Sequence, residues 1–145
     1  MRFSCLQQDL LPILQAVARS VGVHSTLPVL DNILLATQDQ KLKVAATNLE
    51  IGVIKYLRVE VETPGEITVP AKTLVELISG LGQTKVSLSS EGEVLTIESG
   101  KFKASVNGIA AVEFPVIPLS SESGVSFPKE AFLTSAQILF ASAVD

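Results

Sequence analysis

The sequence predicts an α+β domain in which two helices pack on antiparallel sheet. Three observations lead there. Apolar residues recur at helical spacing in two separate stretches, 8–21 and 70–81. Between and after them lie short alternating segments, divided by turn sequences such as Thr63-Pro64-Gly65, Glu91-Gly92 and Ser99-Gly100. A strand-then-helix pattern at the start returns 122 residues later.

Residues 1–5 read as a strand, with Phe3 and Cys5 on one face. The first helix, 8–21, buries Leu10, Ile13, Leu14, Val17 and Val21. Asp9 suits its first turn or cap, and Gly22 suits its end. Pro12 is expected in the first turn, because a later proline would remove a helix hydrogen bond. The opposite face carries Gln8, Gln15, Ala16 and Arg19. Residues 32–37 and 41–47 read as strands paired across Gln38-Asp39-Gln40, and 51–61 as one further extended stretch. After the turn at Thr63-Pro64-Gly65 comes a short strand, 67–69. Pro70 opens the second helix, at the first helical position that suits proline. Leu74, Leu77, Ile78 and Leu81 form its buried side, Lys72, Glu76 and Ser79 its outer side, and Gly80 and Gly82 end it. Strands follow at 85–89, 94–98 and 101–107, then an extended exit through 113–118 and a polar linker at 120–124.

The tail begins again. Val125-Ser126-Phe127 alternates like the first strand, and Phe132, Leu133, Ala136, Leu139 and Ala143 follow helical spacing. The offset of 122 sets Phe3 on Val125, Cys5 on Phe127, Leu10 on Phe132, Leu11 on Leu133 and Val17 on Leu139. A repeat at a domain-sized period implies tandem copies of one fold. The expected organisation is a complete unit at 1–120, then 121–145 as linker and first strand and helix of a truncated second unit.

Charge is unevenly placed. The net charge is −4, yet the 21 residues from Leu10 to Leu30 hold no acid. Such a division lets one face approach a polyanion while the rest repels it. The acidic balance argues against tight, sequence-reading DNA binding. Charged residues are 18% of the chain, below the roughly 25% of typical soluble domains. A single cysteine, Cys5, cannot form an intramolecular disulfide and fits a reducing cytosol. The first residues lack the pattern of a secretory signal, and no apolar run approaches the roughly 20 residues of a membrane span.

Catalytic chemistry finds no anchor. His24 is the only histidine, so no Cys/His metal cluster and no metal or other cofactor is expected. No serine sits in a nucleophile-elbow sequence, and no Gly-rich phosphate loop follows a strand. Glu60/Glu62 and Glu91/Glu93 fall where alternation or turns make solvated faces. Aromatic residues interleaved with basic ones, as single-strand stacking needs, are absent along the chain, which has one tyrosine and no tryptophan.

Five segments in order carry a resemblance: Met1-Arg2-Phe3-Ser4; Thr26-Leu27-Pro28-Val29-Leu30-Asp31-Asn32-Ile33-Leu34-Leu35; Ala46-Thr47-Asn48-Leu49-Glu50; Val69-Pro70-Ala71-Lys72; and Glu113-Phe114-Pro115. Together they resemble the first domain of the bacterial DNA polymerase III beta subunit family, the sliding clamps, over roughly 1–118. The tail resembles the start of that family's second domain. The resemblance implies a DNA-clamp fold, with two helices packed on antiparallel sheet in each domain. It implies a homodimeric ring around duplex DNA that keeps the replicative polymerase attached, with helices lining the hole. Such a protein is a cytoplasmic, non-enzymatic processivity factor with no membrane contact. Its polymerase III core and clamp-loader peptides bind regions absent from this fragment.

The same resemblance implies site residues. Lys72 matches a basic position on the second inner helix. His24 and Ser25 stand where the family often has Arg-Pro, so that contact is weakened if His24 is neutral. Arg19 joins them as an inference from the helix face. Residues 101–107 match the edge strand of the subunit seam, with Lys101 and Lys103 at basic positions and Ala104 and Val106 at apolar ones. Ala104 replaces a larger aromatic. The competing expectation is a non-enzymatic α+β interaction module that recruits partners at this edge strand and has no DNA role.

Overall fold

A computed structural model describes residues 1–22, 27–118 and 128–142. In chain order the elements are β1 (Arg2–Leu6), α1 (Gln7–Ala18), β2 (Asn32–Gln38), β3 (Lys41–Thr47), β4 (Gly52–Arg58), β5 (Glu60–Thr63), β6 (Gly65–Pro70), α2 (Ala71–Ser79), β7 (Lys85–Glu91), β8 (Val94–Ser99), β9 (Phe102–Asn107) and α3 (Lys129–Ser142). Single 3₁₀ turns occupy Pro28–Asp31 and Ala111–Glu113.

The strands form two antiparallel sheets, ordered β5-β1-β7-β8-β9 and β4-β3-β2-β6. Each sheet holds three consecutive strands, β7-β8-β9 or β2-β3-β4; the first is extended by β1 and β5, the second by β6. Thus β1 lies in one sheet and is followed by α1 and then by β2 of the other. In the same way β6 is followed by α2 and β7. Both helices therefore span the gap between the sheets. One apolar core joins the three layers: Phe3, Leu88 and Ile97 from one sheet, Ile33, Leu42 and Val69 from the other, and Leu10, Leu14, Leu74 and Ile78 from the helices.

Local chemistry explains the turns. Asp39 and Gln40 both take positive φ (49° and 57°), as the two-residue hairpin between β2 and β3 requires. Gln40 then anchors the hairpin, its side chain bonding both the N–H and the C=O of Val61. Gly108 joins β9 to the second sheet. Ile109 and Thr68 exchange backbone hydrogen bonds of 2.9 and 3.1 Å, so the chain bridges to β6 directly after leaving β9. The exit that follows lays Phe114 and Ile117 over Leu34, Ala45 and Ile54 as a second, small apolar cluster.

Four sequence expectations are corrected. The stretch 51–61 is not one strand. It breaks at Val59, with β4 in the four-stranded sheet and β5 in the five-stranded one. Leu57, Val59 and Val61 keep alternating across the break because both sheets face the same core. The first helix ends at Ala18 rather than Val21, with Arg19 as its C-cap residue. Pro12 lies beyond the first turn of α1. Its ring sits on the exposed side, so the helix carbonyl left without a donor faces solvent. Pro70 ends β6 and occupies the cap position before α2, one residue earlier than expected.

The linker 120–124 and the strand at Val125–Phe127 fall outside the described residues. The tail helix is present as α3, and it exposes Phe132, Ile138, Leu139 and Phe140. None of its described side chains belongs to either apolar cluster of the domain.

Candidate nucleic-acid interface

The two short helices lie side by side and run in opposite directions. The start of α1 meets the end of α2, where the buried Gln7 side chain donates a 3.0 Å hydrogen bond to the Ile78 carbonyl. The end of α1 meets the start of α2 across a shallow groove of ≈ 570 Å³. Gln15, Arg19 and Val21 line one wall and Lys72, Val75 and Glu76 the other. Burial follows from sequence spacing. Leu10, Leu14 and Val17 turn inward from α1, and Ala71, Leu74 and Ile78 from α2. Gln8, Gln15, Ala16, Arg19, Lys72 and Glu76 remain exposed on the outside.

The groove is electrostatically lopsided. Beyond Asp9 in its first turn α1 has no acid, and α2 has only Glu76. Arg19 at the C-terminal end of α1 complements the negative end of that helix dipole. Lys72 is in the first turn of α2, where the dipole disfavours a cation, so helix stability does not account for it. Neither cation forms a salt bridge among the described residues. Arg19 and Lys72 are therefore available to a diffuse anion. His24 lies outside the described residues.

The second expected site stands at the rim of the five-stranded sheet. There β9 pairs with β8 alone, leaving an open edge. Val106 is buried and Ala104 half-buried on the inner side, opposite Leu95 and Ile97. Lys101 and Lys103 are exposed. Lys103 is already engaged, holding Glu98 at 2.8 Å, and that hydrogen bond keeps the Glu98 carboxyl below the usual range. Phe102 is partly exposed beside Ala104, whose small side chain leaves the edge thin.

Two further titratable groups are shifted by their surroundings. Burial, with a smaller contribution from Asp9, pushes the Cys5 thiol up to about 12. Lys85 and then Ser4 hydrogen-bond Glu60 and lower its pKa. Among the described residues no group of three or more His, Cys, Asp or Glu is placed to hold a metal ion. No described helix is long and apolar enough to cross a membrane.

Two residues that position this site escape sequence reasoning. Gln7 looks like any polar residue near a helix start, and its burial against Ile78 depends on α2. Gly108 looks like a loop glycine, but a Cβ there would stand 2.1 Å from the Thr68 carbonyl oxygen. A glycine directly after an alternating strand is a weak hint of such close approach.

The family profile described as DNA polymerase III beta subunit, N-terminal domain, matches residues 1–118. The chain belongs to the DNA polymerase III beta subunit family. A beta sliding clamp of Synechococcus elongatus is 33% identical over all of this chain and 40% of its own length. The beta sliding clamp of Escherichia coli is 32% identical over 79% of this chain and 32% of its own. The crystal structure of the DNA polymerase III subunit beta from Pseudomonas aeruginosa superposes with a TM-score of 0.79 at 32% identity. That match covers 85% of this chain and 34% of the other. The chain spans about a third of the length of most beta-subunit relatives it matches.

Proposed function

We propose that this chain contributes the first domain of a sliding clamp, a processivity factor that encircles duplex DNA and tethers the replicative polymerase. The observation that supports it best is the antiparallel pairing of α1 and α2, which sets Arg19 and Lys72 in one acid-poor groove on the helical side of the domain. Sparse cations suit a protein held on DNA by topology. Each firm phosphate contact would add salt-dependent affinity and slow sliding, while phosphate contacts carry no sequence information. Arg19 and Lys72, with His24 five positions after Arg19 in the chain, are the proposed DNA-facing residues.

On this reading the open edge of β9 is the subunit seam of a homodimeric ring, formed with Lys101, Lys103, Ala104 and Val106. Lys103 would exchange Glu98 for a partner carboxylate. Residues 121–145 open a second clamp unit, whose body would cover the exposed apolar side chains of α3. The DNA polymerase III core and the clamp loader would engage other parts of the ring. The protein would work in the cytoplasm without catalytic residues of its own.

The test is a chimera in which residues 1–118 replace the matching segment of the Escherichia coli beta sliding clamp. It is loaded on circular duplex DNA, with Arg19→Glu/Lys72→Glu as the variant. Retention on circles and loss on linearisation supports the reading, and the charge reversals should change the salt at which the ring slides off. Equal recovery from circular and linear DNA would favour the second reading, an interaction module that recruits strands at β9, for which the open edge is the specific observation.

A further inference from the structure

The outward face of the β3–β4 hairpin carries an arrangement completed by strand register. Its register sets Lys43 directly opposite Tyr56 and Lys41 opposite Arg58. Alternation turns Leu42 and Val44 into the core and leaves Lys41 and Lys43 on the other surface, away from α1. Tyr56 is 60% exposed and has cationic side chains across from it and two residues along its own strand. Lys41, Lys43 and Arg58 form no salt bridge among the described residues. Lys41, Lys43 and Tyr56 border a concavity of ≈ 620 Å³ floored by Ala36. The exit segment covers the neighbouring part of this face, at Leu34, Ala45 and Ile54, and leaves the hairpin open.

We propose that this hairpin face is a docking site for single-stranded nucleic acid, with a base stacked on Tyr56 and phosphates on Lys41, Lys43 and Arg58. The chemistry favours that occupant. Cations i and i+2 on a strand stand about 6.6–6.8 Å apart, a span that successive phosphates of an extended strand can follow, and an exposed tyrosine between cations offers a sequence-tolerant stacking platform. Acids define the track. Asp39 at the hairpin tip and Glu66 on the far wall of the concavity repel phosphate, so the strand is held along β3 and β4 rather than drawn across to β6. This site is on the opposite face from the helical groove and does not depend on the clamp reading.

The molecule supplies its own probe, because Tyr56 is the only tyrosine and there is no tryptophan. Titrating the chain with a fluorescein-labelled oligothymidylate of 15 nucleotides should raise anisotropy, while the unlabelled oligomer quenches tyrosine emission after inner-filter correction. Affinity should fall with salt at a log–log slope near −2, about −0.7 for each of three phosphates. Lys41→Glu/Lys43→Glu should weaken binding at least tenfold and flatten the slope. Tyr56→Ala should weaken it by about tenfold without changing the slope, and Tyr56→Phe should restore it. Arg19→Glu/Lys72→Glu should bind the oligomer like wild type, so loss of the helical duplex site leaves this one intact. Circular dichroism confirms that each variant is folded. The proposal is overturned if the oligomer neither binds nor quenches, or if the Lys41/Lys43 reversal binds normally. It is also overturned if polyglutamate of equal charge competes as well as the oligomer, which would make the site one for acidic polypeptide.

Discussion

Gly108→Ala tests the joint that fixes the two sheets against each other. The backbone of Gly108 is not left-handed, so the argument rests on space alone. An added Cβ would sit 2.1 Å from the Thr68 carbonyl oxygen and 3.2 Å from Ile67 Cγ1. The obstacle is sheet backbone, which cannot swing aside like a side chain. Relief requires β6 and the 108–109 segment to part by about 1 Å, and overpacking of this kind costs about 1–3 kcal/mol. The same movement pulls on the bonds between Thr68 and Ile109: 2.9 and 3.1 Å through the backbones, and 2.8 Å from the Thr68 hydroxyl to the Ile109 carbonyl. Thr68 is fully buried, so a lost partner is not replaced by solvent. Losing two such bonds adds about 1 kcal/mol each.

The expected total is about 3–5 kcal/mol, a large part of the roughly 5–15 kcal/mol that holds a domain folded. Urea unfolding followed by circular dichroism reads it. At a slope of about 2 kcal/mol per molar, the midpoint should fall by about 1.5–2.5 M. Gly82→Ala is the control, because a Cβ there meets nothing within 4 Å. It should stay within about 0.5 kcal/mol of wild type. If Gly108→Ala unfolds at the wild-type midpoint, or shifts no more than Gly82→Ala, the close approach is not a constraint and the account of the joint is wrong.

Other consequences follow from the same geometry. With its thiol raised from 9.0 to about 12, Cys5 should hold roughly a thousandfold less thiolate near neutral pH than a free cysteine, so alkylation of the native protein should be correspondingly slow and should recover in urea. The folded state keeps that proton where the unfolded chain loses it. Stability should therefore decline as pH rises from about 9 toward 12, and Cys5→Ala should reduce the decline. Glu60 and Glu98 have lowered pKa values, so their contribution is present above the unfolded value of 4.5 and is lost as pH falls through the lower folded values. Thermal melts of Glu60→Gln/Glu98→Gln should converge on wild type at low pH and fall below it at pH 7. Pro12→Ala should raise stability by about 1–3 kcal/mol in urea titrations, since the proline interrupts α1 on its exposed side.

What could be seen in the sequence was local. The α2 stripe of Leu74 and Ile78, and the hairpins turning at Gly92 and Gly100, are each settled within a few residues. Arg19 and Lys72 were visible as members of polar helix faces, yet their shared groove depends on packing between residues more than 50 positions apart. The break at Val59 was hidden for a physical reason. A strand that passes from one sheet to another around a common core keeps burying alternate residues, so Leu57, Val59 and Val61 give no sign of the crossing. Tyr56 and Lys43 become neighbours only through strand register, which no spacing along the chain reveals.

The placement of charge is a consequence of topology. Because β1 and β2 lie in different sheets, as do β6 and β7, the connections after β1 and β6 both cross between sheets, and the helices within them, α1 and α2, lie beside each other and antiparallel. Of the acids, α1 and α2 hold only Asp9 and Glu76, while Glu60, Glu62, Glu66, Glu91 and Glu98 all sit on strands. An acidic protein thus gains an acid-poor wall without an excess of lysine or arginine. It follows that the sign of the helical surface can be changed with little effect on folding. Arg19→Glu/Lys72→Glu alters two exposed side chains that form no salt bridge among the described residues, so its urea midpoint should match wild type while its DNA behaviour changes. A midpoint that fell with the charge would mean that the wall contributes to the fold itself.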